Sequence, residues 1–316
     1  MNSISLLDNA LLQGLSYGLA VAGVMLAFRV LRYPDLTPDG SFLLGSAAYS
    51  AAVLAGAHWF PALIAAFACG ALAGVLTSLL NSGFGVNRLL TGILTSMMAY
   101  SIGYRMMGGR PNIGLGSEAT VFDPLRRLDN LEQLSHLGLH SGQLLTSLLV
   151  ALVVAGVVAF LLRSEWGLAI RALGSHPGLL KELRHKPSRL QAQGLALANG
   201  LVGVSAAVVV SRQGFVDINM AVGIVITLIA ALVIGEAVLR IFGIDPARSV
   251  STRILAVFMG TVLYFLLYIL ILRASILGWI PVEIRPTDLK LLSALAVVLA
   301  VSVRNRKGSK EEVLPF

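Results

Sequence analysis

Charge is scarce in this sequence: 13% of its 316 residues are Asp, Glu, Lys or Arg, where soluble domains carry about a quarter. Too little polar side chain is present to cover a water-facing surface, so lipid is the solvent for most of the chain. Cysteine is nearly absent. The single one, Cys69, lies in an apolar run, which excludes an internal disulfide and any cluster of thiolate ligands. No segment sustains the period-2 alternation of a transmembrane β-barrel. No G-x-x-x-x-G-K-[ST] sequence occurs, so the chain has no such loop to cradle nucleotide phosphates. Paired carboxylates, Ser/His sets and His clusters facing one cavity are missing, which argues against an intramembrane enzyme. The histidine pair with i,i+4 spacing, His136 and His140, straddles Gly138, and no metal is expected.

What the sequence has is apolar length. Hydrophobic residues make up 56% of it, and mean hydropathy is +0.83. A helix needs about 20 such residues to cross a bilayer. Candidate runs fall at 9–31, 41–57, 60–80, 87–107, 143–163, 190–211, 219–241, 251–272 and 287–303. The fold class is therefore an all-α polytopic membrane helix bundle of about nine spans (eight to ten), a single membrane domain over 1–316. The opening MNSISLLDNALLQGLSYGL lacks a basic n-region and is expected to be retained. With the N-terminus outside, the inner segments hold 16 of the 24 Lys and Arg. The bias is strongest in the second half, which puts the C-terminus in the cytoplasm. Orientation thus explains the net charge of +8. Nucleic-acid binding would need basic residues clustered with aromatics on a soluble face, and none is expected.

Two hydrophilic segments interrupt the runs. Residues 108–142 are expected outside, with Asp123 and Pro124 opening a short helix to Ser135. Residues 164–189 are expected inside. There Ser175 or His176 caps a helix begun by Pro177, and PGLLKELRH makes two turns before Pro187 stops it. Leu179, Leu180 and Leu183 share one face. Such a helix presses into a groove on another protein or lies on lipid headgroups.

The stretch YPDLTPDGSF, Tyr33 to Phe42, carries two prolines, two aspartates and a glycine between apolar runs. Pro34 and Pro38 push Tyr33 and Thr37 out of the helical region, and Asp39 or Ser41 can cap the helix that follows. One reading is a turn with its aspartates in water. The other is a broken second span with Asp35, Thr37, Asp39 and Ser41 near a translocation path, which the short run 41–57 favours. Irregular backbone at membrane depth requires protein or a water-filled cavity around it.

Glu236 precedes Arg240 by four residues, the favourable order for an i,i+4 ion pair. Gln13, Thr91, Thr95, Ser96, Asn199 and Thr227 line a polar path or bond across helices. Gly14/Gly18 and Gly70/Gly74 have the spacing that permits close helix contact.

One stretch carries a resemblance. GLAIRALGSHPGLLKELRHKPSRLQAQGLALANGLVGVSAAVV resembles the cytoplasmic stretch of ABC importer permeases of the branched-chain amino acid and ribose type. Gly167, Arg171, Ala172 and Gly174 match the family's Gly and Arg-Ala-x-Gly pattern, and DLTPDGSFLLG is similar to the opening of the ribose branch's second span. The span that usually ends in Gly-Gly here has Gly235-Glu236, a departure. The likeness runs over residues 10–303 and comes nearest to a less-characterised branch of amino acid permeases.

The resemblance implies a permease subunit that passes a small polar solute, an amino acid, by alternating access. Gly167, Arg171, Ala172, Gly174, Pro177, Leu179, Leu180 and Leu183 would couple it to a separate ABC ATPase subunit, which holds ATP and Mg. No cofactor is expected in this chain. An extracytoplasmic substrate-binding protein would deliver the solute, a second copy of the chain would complete the pore, and the site would be the bacterial inner membrane. The alternative is a secondary transporter working without an ATPase, for which neither an inverted repeat nor midplane coupling-ion groups are seen.

Overall fold

The computed structural model describes residues 3–116, 118, 120–125, 141–175, 178 and 186–277, with single positions at 288, 291 and 294. Nine α-helices occur among them: α1 (Ser3–Met25), α2 (Pro38–Leu54), α3 (Trp59–Ser82), α4 (Arg88–Met106), α5 (Ser141–Arg163), α6 (Glu165–Ser175), α7 (Pro187–Gln213), α8 (Ile224–Ile241) and α9 (Val250–Ile276). The candidate runs from 9 to 272 all fall on helices. Apart from a few single positions, the ninth run, 287–303, the helix expected from Pro124 and the helix expected from Pro177 lie outside the described residues.

Local chemistry sets the ends. Pro187 occupies the first turn of α7, where its missing N–H costs nothing. Ser249 and Thr252 form a capping box at α9. Gly214 closes α7 in the left-handed region, at φ 77°. Six of these helices are long and apolar enough to cross a membrane. α2, with 17 residues, and α4, with arginines in its first and last turns, fall short of that measure.

α7 is the axis of the molecule. α3 packs along it, α1 lies on its other side, and α2 is wedged between α3, α4 and α7. α9 covers α1 and α8. α2 is buried at nearly every position, whereas α3 and α5 turn large apolar side chains such as Leu72 and Phe160 outward, as lipid contact requires.

Backbone approach makes this packing possible. A Cβ on Gly70 or Gly74 would overlap the carbonyl oxygens of Asn199 and Leu195 on α7, and one on Gly203 would overlap that of Ala66 on α3. Gly14 and Gly18 lie against Val262 and Phe258 of α9. Both small-residue pairs are thus spent on contacts inside the chain.

The all-α fold class holds, and two sequence expectations inside it need correction. Beside the helices lie two short strands, β1 (Asn112–Gly114) and β2 (Phe215–Asp217), paired antiparallel with Ile113 opposite Val216. Three residues a strand carry no hydrophobic periodicity, so nothing marked them. The run 219–241 begins its helix only at Ile224, because Ile218–Ala221 form a 3-10 turn before it. Asp39 and Ser41 do not cap α2, whose first residue follows Thr37 without a side-chain cap; both serve other helices.

Candidate functional site

α1 does not end cleanly. Leu26–Val30 widen into a π-turn, closed by Leu31 N–H donating to the Leu26 carbonyl at 2.9 Å. Arg32 then adopts φ 50°, the one left-handed non-glycine among the described residues. The chain runs unwound to Thr37 before α2 begins at Pro38.

This segment is not a turn in water. Asp35, Thr37 and Ser41 are fully buried, and protein surrounds the irregular backbone as its position demands. Asp35 accepts from the Thr37 N–H at 2.9 Å and from Asn199 Nδ2 at 2.7 Å. Asn199 Oδ1 accepts from Ser41 Oγ at 2.7 Å. Thr37 Oγ1 meets Thr77 Oγ1 at 2.7 Å, Tyr33 OH meets Thr91 Oγ1 at 2.8 Å, and Ser96 Oγ donates to the Leu36 carbonyl at 2.7 Å. The unwound residues are therefore bonded to α3, α4 and α7, and the polar side chains at Thr91, Ser96 and Asn199 bond across elements. Their lone alternation with apolar neighbours gives no hint of the partner. Asn199, midway along a long apolar helix, was the strongest such signal in the sequence.

Asp39 does something else. Its carboxylate accepts from the N–H groups of Gly223 at 3.0 Å and Val225 at 2.8 Å. It thus caps α8 from a distant part of the chain, where the helix dipole favours an anion. Asp39→Ala should cost about 0.5–2 kcal/mol, the range for a lost helix cap. The thermal midpoint of the detergent-solubilised protein checks this; an unshifted midpoint would remove the cap from the account.

Glu236 also finds a partner other than the expected one. Arg240 is not bonded to it. Arg29 of the π-turn grips it bidentately, Nε at 2.7 Å from Oε1 and Nη2 at 2.6 Å from Oε2. The i,i+4 rule describes an isolated helix, and here a guanidinium on α1 with the matching fork geometry takes the carboxylate instead. A small cleft beside the pair is lined by Arg240, Arg253, Leu232 and Pro246 among others.

α6 explains its own glycines. Ser164 accepts from the Gly167 N–H at 3.4 Å and so starts the helix. A Cβ at Gly167 would strike the Leu161 and Leu162 carbonyls of α5, and one at Gly174 would strike the Val30 carbonyl of the π-turn. Arg171 Nε donates back to the Gly167 carbonyl at 3.3 Å, and Ala172 packs half-buried against the core. Pro177, Leu179, Leu180 and Leu183 lie outside the described residues.

A multi-pass bundle, an unwound segment before α2 bonded into its core, and a glycine-seated helix after α5 together narrow the comparison. The family described as "Branched-chain amino acid transport system / permease component" matches residues 6–302. The chain belongs to that family. It is a permease component, a part of a membrane transporter and not an enzyme. The permease is 30% identical over 304 residues to an uncharacterized protein of Rickettsia prowazekii (strain Madrid E), covering 96% of this chain and 99% of that one. It is 26% identical over 294 residues to a protein named "Tyrosine transport system permease protein" from Clostridioides difficile (strain R20291), covering 93% and 89%. No solved structure matches.

Proposed function

We propose that this permease is the membrane subunit of an ATP-driven importer and carries an amino acid, with tyrosine the first to test. A separate ABC ATPase binds ATP and Mg, an extracytoplasmic binding protein delivers the solute, and two copies of the chain form the pore in a bacterial inner membrane. The C-terminus and residues 164–189 face the cytoplasm, and residues 108–142 face outward. The observation that carries this reading is the family match across nearly the whole chain; the name of the Clostridioides difficile relative supports the substrate class.

The coupling segment follows from α6. Its Gly174 rests on the backbone of the π-turn, so a push on the residues that follow is delivered directly into the end of α1. Leu179, Leu180 and Leu183 supply the apolar face that enters the ATPase. Asp35, Thr37, Asp39 and Ser41 shape the translocation path from behind, by fixing α2, α7 and α8 to the unwound segment.

Purifying the tagged chain from native membranes and identifying its companions by mass spectrometry tests the reading. A Walker-motif ATPase in near-equal amount is expected, and it should be lost when Leu179, Leu180 and Leu183 are all replaced by polar residues while the chain still inserts. An intact chain that brings no ATPase would overturn the proposal in favour of a carrier working alone.

A further inference from the structure

Two charged clamps hold α8, and both come from the flanks of the same unwound segment. Asp39 binds the first N–H groups of α8, and Arg29 binds Glu236 toward its other end. From Ile224 to Glu236 the helix rises about 18 Å. The non-helical residues between Arg29 and Asp39 reach up to about 23 Å when extended, enough to run alongside the interval they bracket. α8 is further fixed against α9 by Gly235, whose missing Cβ lets it lie on the Ala256 carbonyl.

The lower clamp sits where α6 arrives. Gly174 rests on the Val30 carbonyl, one residue from Arg29, and Gly194 of α7 takes the Leu31 side chain. The π-turn and the left-handed Arg32 are sparsely populated backbone conformations, held in place by this surrounding contact. Charge completes the picture. Arg240 and Arg253 line the same cleft as the pair, and the Glu236 carboxylate takes both bonds of the Arg29 fork.

We infer that residues 29–39 are a strut that makes α8 move with α6, and that the Arg29–Glu236 pair is the positioning contact through which the coupling segment reaches α8. This rests on the importer reading for its direction of action, while the mechanical link itself concerns this chain alone. The pair stays closed through the cycle; it transmits and does not open.

The test replaces Cys69 with serine and puts spin labels at the exposed positions 168 on α6 and 241 on α8, with a control pair at 72 on α3 and 152 on α5. In the chain alone, Arg29→Gln is expected to broaden the 168–241 distance distribution and leave the control pair unchanged. Arg29→Lys should keep it narrow. Glu236→Gln should broaden it at least as much, because it removes the carboxylate that accepts both Arg29 bonds. An unbroadened distribution in Arg29→Gln would sink the strut. In the complex with its copurified ATPase, the same variant should raise the ATP hydrolysed per labelled tyrosine carried by about tenfold, within the range of a lost coupling between sites. Coupling equal to the native complex, with the pair broken, would also overturn it. A native complex that hydrolyses no ATP would instead refute the importer reading, and the distance measurement would still decide the strut.

Discussion

Gly74→Val should leave almost no folded permease in the membrane. The glycine faces the Leu195 carbonyl of α7 with no room for a Cβ, and what stands in the way is helix backbone, which cannot turn aside as a side chain can. The same line of contact includes Gly70 on the Asn199 carbonyl and Gly203 on that of Ala66. Separating α3 from α7 at one of these points therefore loosens all of them. Overpacking typically costs about 1–3 kcal/mol, and here it also weakens the dispersion contacts that hold helices together where water exclusion contributes nothing. Gly156→Val is the control, since a Cβ there meets nothing within 4 Å. Fluorescence-detected size exclusion of tagged variants checks both: a monodisperse peak for Gly156→Val and loss of it for Gly74→Val. A native-like peak for Gly74→Val would mean that the interface yields far more than its geometry allows.

Asn199→Leu should be nearly as damaging, for an electrostatic reason. Its amide stands between Asp35 and Ser41, and all three residues are fully buried. Leucine would leave a carboxylate oxygen and a hydroxyl without partners, at about 1–3 kcal/mol each and more for the charged one. Asp35→Asn should be far milder. Its amide oxygen can keep the Thr37 N–H, and a flipped Asn199 can accept from its new NH2 while donating to Ser41. Thermal midpoints of the two variants in detergent decide the matter: a large drop for Asn199→Leu and a small one for Asp35→Asn. Equal drops would mean that the negative charge of Asp35, and not its hydrogen bonding, is what the site requires.

Legibility in the sequence followed the range of each force. The helices from 9 to 272 were readable because apolar length is a property of a run, and a run of twenty residues is visible in one line. Pro34 and Pro38 marked the unwound segment for an equally local reason. The partners were not readable. Glu236 was matched to Arg240 because a helix offers only its own neighbours, whereas Arg29, 207 positions away in the chain, wins once the bundle forms. Asp39 has the composition of a cap, but which helix it caps depends on where α8 begins. The Gly70/Gly74 spacing announced a close contact without naming α7. The Gly167 and Gly174 positions were recognisable by resemblance, and their physical reason, two backbone collisions avoided, exists only in three dimensions.

The bond between Asp35 and Asn199 joins residues 164 positions apart. A ribosome adding about 5–20 residues per second needs roughly 8 to 33 s to make that interval. For all of that time the unwound segment has neither its amide partner nor α7 to shield it from lipid. It must wait at the insertion machinery or at the headgroup level, and it enters the bundle only when α7 does. Integration of this chain is therefore not a succession of finished helices: the unwound segment is made early and is among the last parts to be completed.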